Sequence, residues 1–213
     1  MHRPIDDEML NVRPILEHVW RLLAAKQFGA AEKALVEARA DAIAKQDSEA
    51  ERDILLELIG LYRVMDPPDV GRAEAAATEL ETLDPSARIK LYMATLLYYG
   101  AHDSERALAK SQETMRKAEE EHDYSSKYSS LGLQGLALLD LERLDEATKV
   151  LNEIQEIISN GDSFVAGDEL SFLERAYAKG ISIHQVRQIA ASVVPLCKDP
   201  VFLRRLRRLS EGS

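Results

Sequence analysis

Apolar residues recur along most of this chain at spacings of three and four, the rhythm of helices that bury one face. The pattern is clearest over residues 131–158, LGLQGLALLDLERLDEATKVLNEIQEII. Its first half carries Leu131, Gly135, Leu138 and Leu139; its second carries Leu144, Ala147, Leu151, Ile154 and Ile158. The intervening residues 140–145 are too few for anything but a tight connection between antiparallel helices. Gly135 and Ala147 are small residues on apolar faces, which lets two helix axes approach while leucines fill the remaining gap. This stretch predicts a helical hairpin. Elsewhere β-branched residues rarely alternate with polar ones, so strands are not expected and the fold class is all-α.

One hairpin cannot bury its own apolar face, so copies are expected. Alignment on Ala147 finds Ala107 in DSERALAKSQETMRKA, Ala73 in DVGRAEAAATELETLDP and Ala31 in KQFGAAEKALVEARA, at spacings of 40, 34 and 42 residues. Over roughly residues 12–158 the chain resembles the tetratricopeptide repeat (TPR) family, whose unit is a helix-turn-helix of about 34 residues. Gly135 stands at the family's small position in the first helix, and the four alanines stand at its small position early in the second. Leu35 and Leu151 match the large apolar residue four further on, whereas Ala77 and Ser111 depart from it; Pro85 alone matches the closing proline. The resemblance implies a right-handed α-solenoid of helical hairpins, and the longer spacings imply insertions or lengthened helices.

In chain order, residues 1–11 read as a polar arm, followed by helices over about 14–25 and 29–45. Ser48 and Glu51 form a capping-box pattern opening a helix over about 49–65, which Asp66-Pro-Pro-Asp69 ends because proline forbids continuation. Helices over about 70–83, 86–99 and 103–121 follow; the last ends in three glutamates, set against the helix dipole. After the hairpin at 131–158, the turn formers of residues 159–163 mark a break. Beyond it the chain predicts helices over about 168–178, over 183–194 behind a Ser182/Gln185 capping box, and from Asp199-Pro200 onward. The expected organisation is a repeat array of about four hairpins over 1–158 and a helical capping segment over 159–213, covering the exposed end of the array.

The net charge of −10 opposes general nucleic-acid binding, which needs basic surface, and suits a basic partner. A single cysteine, Cys197, excludes an internal disulfide framework. The N-terminus lacks the apolar run of a signal peptide, and the longest apolar stretch, residues 91–99, is far below the roughly 20 residues of a bilayer span. A cytoplasmic protein is expected.

In tetratricopeptide arrays the first helices of successive repeats line a concave surface that holds the ligand. The resemblance puts Trp20, Tyr62, Tyr92, Leu96, Tyr99 and Leu136 on that side, where an extended or helical peptide would be held by burial. The same residues suit packing against neighbouring helices, or a groove filled by the C-terminal helices. Relatives that grip a chaperone's C-terminal carboxylate place lysine, asparagine and arginine there; here those positions are mostly apolar, which argues against that function.

Other features carry less. Residues 202–209, FLRRLRRL, form a short basic amphipathic helix able to meet an acidic membrane or phosphate, or to dock its leucines on the preceding hairpin. Ala176, Gly180 and Val186 echo a DNA-reading helix-turn-helix, but Arg175 and Lys179 stand where that motif buries apolar residues. His2, His18, His102, His122 and His184 are scattered outside any metal-ligand spacing, no phosphate loop is present, and Cys197 has no neighbouring histidine. No catalytic residue, metal or cofactor is expected. The expected function is a protein–protein adaptor or scaffold binding a partner peptide or helix. The alternative is a regulator whose C-terminal helices contact nucleic acid or an acidic membrane; homo-oligomerisation through an exposed end of the array is a further alternative.

Overall fold

The computed structural model describes residues 9–160 and 167–212. Most of the expected N-terminal arm, His2 and the core of the break at 159–163 lie outside the described residues. Among the described residues there are eleven α-helices and one π-helical turn. They form two compact units divided after Pro85.

The first unit holds α1 (Val12–Ala24), α2 (Phe28–Lys45), α3 (Ser48–Val64) and α4 (Val70–Leu83). Each helix packs on the next, and α1 also touches α3. Asp47, the residue before α3, accepts the Ala50 N–H as N-cap, so the cap is Asp47 and not the Ser48 expected from the capping box. Its other oxygen accepts the Leu10 N–H at 2.8 Å, tying the entry to α1 to the α2–α3 turn. Arg39 on α2 donates to Glu51 on α3 at 2.9 Å and also to Glu79 on α4, linking three helices.

The second unit begins with α5 (Ala87–Thr95), which widens into a π turn over Leu96–Gly100. It continues with α6 (Ser104–Glu121), α7 (Tyr124–Asp140), α8 (Leu144–Ser159), α9 (Asp168–Ala178), α10 (Ile183–Val193) and α11 (Pro200–Glu211). Helices α5 to α8 pack in sequence, with α5 also on α7. Helix α9 then lies on α7, α10 on α8 and α9, and α11 on α10 and α9. The C-terminal helices thus belong to the same compact unit as α5–α8. The acidic end of α6 has a structural role: Glu121 accepts the Ala87 N–H at 2.9 Å, capping α5, and Glu119 pairs with Lys127 at 2.8 Å.

The alanines that align the repeats, Ala31, Ala73, Ala107 and Ala147, are all fully buried. Ser111, where the family pattern wants a large apolar residue, is buried too, and its hydroxyl donates to the Leu108 carbonyl at 2.9 Å, which removes the cost of burying it. Five of the turns inside the units share a device. Lys26, Gln46, His102, His122 and Glu142 each adopt a left-handed conformation, and in three of the five an N-cap aspartate follows directly: Asp47, Asp103 and Asp123. These are sequential antiparallel pairs built to a common plan.

Candidate functional site

The six residues expected on a concave face divide between the units. In the first, Trp20 on α1 is half exposed and donates its indole N–H to Glu57 at 3.1 Å. Tyr62 on α3 is buried; its hydroxyl donates to Glu32 at 3.1 Å, and the Arg72 guanidinium sits 4.6 Å from its ring centroid. Burial, with the Glu32 carboxylate beside it, raises the Tyr62 hydroxyl above the ordinary tyrosine value. In the second unit Leu96 and Leu136 are core residues, Tyr92 is half-buried and Tyr99 is exposed.

Much of α7 in this unit is covered by α9. Phe172 is fully buried against Gly135, and the backbone at Asp168 and Glu169 runs over Gly132. The π turn presents two consecutive tyrosines to this assembly, their rings edge to face at 4.8 Å. Tyr98 donates to Asp140 and Tyr99 to Asp168, each at 2.7 Å. Arg175 of α9 donates to both Tyr98 and Asp140, so its charge is spent on α7 and the π turn. Burial raises both tyrosine hydroxyls well above their ordinary value, and burial also raises Asp168. Glu169 is 1% exposed with neither carboxylate oxygen hydrogen-bonded among the described residues, and burial pushes it up to about 8.

One open feature among the described residues of this unit is a cleft of about 340 Å³ bounded by α6, α7 and α8. Its floor is Met115, Tyr128, Leu131 and Ile157. Tyr124 stands at its edge, 59% exposed, with its ring 6.3 Å from that of Tyr128. Around the rim are Glu119, Glu153 and Glu156, together with Lys127. Apart from Leu131 in the apolar pattern and Glu119 in the glutamate run, none of these residues stands out in the sequence. Tyr124 and Tyr128 are spaced by four, the one signal that they share a helix face.

The remaining candidates are absorbed by the fold. Leu206 and Leu209 of the arginine-rich helix are buried, and Arg205 makes a two-pronged pair with Glu174 at 2.9 and 2.6 Å. Ala176 and Val186 are fully buried, while Ser182 makes no side-chain cap and Gln185 donates instead to Asn152 and Gln155. The Cys197 thiol faces the Asp199 carbonyl at 3.6 Å. Among the described residues no three histidine, cysteine, aspartate or glutamate side chains are grouped so as to hold a metal ion, and no helix is long and apolar enough to cross a membrane. No protein-family model, curated protein or solved structure matches the chain.

Proposed function

We propose that the protein is a protein-binding adaptor whose second unit holds its partner at the cleft between α6, α7 and α8. The observation that carries this reading is the cleft itself: an apolar floor left open beside a tyrosine that is 59% exposed. An aromatic residue set beside an uncovered apolar surface is the usual anchor of a binding hot spot. Trp20 in the first unit and Tyr99 in the second also keep exposed surface, and each is a separate candidate contact within its own unit. The tetratricopeptide likeness and a right-handed solenoid are part of the same proposal; their support is the sequential hairpin packing within each unit and the four buried alanines. The alternative, C-terminal helices that meet nucleic acid or an acidic membrane, is less favoured in its membrane form because Leu206 and Leu209, which it would insert, are buried.

Affinity capture from lysate of the source cells tests the proposal, with the intact chain as bait and Tyr124→Ala, Trp20→Ala and Tyr92→Ala as comparisons. The adaptor reading expects Tyr124→Ala to reduce capture while circular dichroism stays unchanged. Undiminished capture by Tyr124→Ala, with loss in Trp20→Ala or Tyr92→Ala, would move the contact away from the cleft.

A further inference from the structure

The walls of the cleft and its rim differ in chemistry, and the difference specifies an occupant. The floor is apolar and aromatic, whereas the rim carries three carboxylates against one ammonium, two negative charges in excess. Lys127 is committed to Glu119 at 2.8 Å, and Glu153 and Glu156 have no ion-pair partner among the described residues. Although the Glu153 residue is exposed, desolvation of its carboxyl raises it above the ordinary carboxylate value. Glu119 and Glu156 push the same way, and Lys127 opposes them. The rim charge is therefore only partly compensated by Lys127, and a further positive group entering the cleft would be stabilised. A bare metal ion does not suit it, because these carboxylates do not converge on one point.

We propose that the cleft takes a lysine or arginine side chain of the partner protein, with its aliphatic stem on the Tyr128, Met115 and Ile157 floor and its charged head between Glu153 and Glu156. The inference rests on the adaptor reading above and names the chemistry of its partner. Both side chains combine an apolar stem with a charged tip, which matches a floor and rim of opposite character. The exposed Tyr124 ring offers a face to the cation. The volume, about 340 Å³, is near the lower end of the roughly 300–1,000 Å³ of ligand sites, so it admits a side chain rather than a large cofactor. A chain of net charge −10 also draws basic partners towards it before contact.

The test uses the full chain and two blocked peptides, tetra-arginine and its neutral isostere tetra-citrulline, followed by NMR. Tetra-arginine should shift the Tyr124 ring and the Met115 and Ile157 methyl signals, while tetra-citrulline at the same concentration leaves them unmoved. Glu153→Gln combined with Glu156→Gln should weaken tetra-arginine binding at least tenfold, and Tyr124→Leu severalfold, with the helical spectrum unchanged. Equal binding of both peptides, shifts confined to another surface, or no binding at millimolar peptide would overturn the cation proposal. The capture experiment separates the two readings. A partner lost with Tyr124→Ala but retained by the double glutamine variant keeps the adaptor and overturns the cation. Tetra-arginine bound at the cleft with no partner captured overturns the adaptor and supports the cation site.

Discussion

A Cβ built on Gly135 would stand 2.5 Å from the ring carbons of Phe172, so α7 and α9 meet there only because position 135 has no side chain. One turn earlier, a Cβ on Gly132 would stand 2.3 Å from the Glu169 backbone nitrogen. The two glycines therefore fail differently when filled. Gly135→Ala presses on a side chain, and overpacking of this kind costs about 1–3 kcal/mol, offset in part by the better helix propensity of alanine. Gly132→Ala presses on backbone, which has no rotamer to give, and should cost more. Phe172→Leu should restore part of the loss in Gly135→Ala and none of it in Gly132→Ala, read as urea unfolding midpoints. Simple addition of the Phe172→Leu and Gly135→Ala losses would show that the ring contact is not the cause.

Glu169 makes the stability of the second unit fall as pH rises. Burial raises its folded pKa from 4.5 to about 8, with the neighbouring Asp168 carboxylate pushing the same way; its own amide, close by but not in bonding geometry, offsets only part. The folded chain then holds a proton that the unfolded chain has released, so stability is fully present below pH 4.5 and declines until about pH 8. The decline should amount to a few kcal/mol, since each tenfold difference in proton affinity between the folded and unfolded chain is worth about 1.4 kcal/mol. Glu169→Gln keeps the shape without the charge and should flatten this limb, most visibly in melting curves between pH 6 and 9. An identical slope in the variant would assign the pH dependence to another group.

Asp47 sets the opposite limb. Two backbone N–H groups, those of Ala50 and Leu10, hold its carboxylate below the ordinary aspartate value, Ala50 having the larger effect. Its contribution is present above the unfolded pKa and lost as pH falls through the depressed folded value. Asp47→Ala should remove this acid-limb dependence and lower the melting temperature more than Asp103→Ala does, because Asp103 accepts from Arg106 alone among its backbone neighbours. Equal losses in thermal melts of the two variants would mean that the Leu10 bond contributes nothing.

What the sequence carried was periodicity, and what it lacked was distance. Ten of the helices are readable because apolar residues repeat at helical spacing for several turns, and prolines or aspartates mark their ends. Helix α7 starts at Tyr124, seven residues before the apolar rhythm begins at Leu131, because residues 124–130, YSSKYSS, are polar. The Asp123 cap holds that turn, and buried Ser126 and Ser130 line it. Tyr124, Lys127 and Tyr128 all lie on this unread stretch, which is why the cleft was not visible in the sequence. The π turn escaped for a related reason, since nothing in LLYYG contradicts an ordinary α-helix. The choice between Asp47 and Ser48 as cap is likewise decided by geometry, for both residues favour the position. Register gave Leu96 and Leu136 to a binding face, but the packing of α7 within the unit, with α9 laid along it, is a long-range contact that no local spacing encodes.

The arginine-rich end of the chain provides a sharp test of docking against surface binding. Leu206 is fully buried and Leu209 nearly so, and Arg205 is fixed to Glu174 on α9. A helix that inserts into a membrane interface must release that apolar face, which here means undoing part of the core. Leu206→Ala should therefore lower unfolding stability by about 2–5 kcal/mol, as for other leucines removed from a packed interior. The intact chain should not sediment with vesicles of anionic phospholipid at physiological salt. Arg205→Ala should weaken the docking of α11, seen as faster amide exchange over residues 200–211, because the two-pronged pair with Glu174 anchors the helix. Sedimentation with anionic vesicles, abolished by Leu206→Ala without loss of stability, would reverse the assignment and make the tail a membrane-binding element.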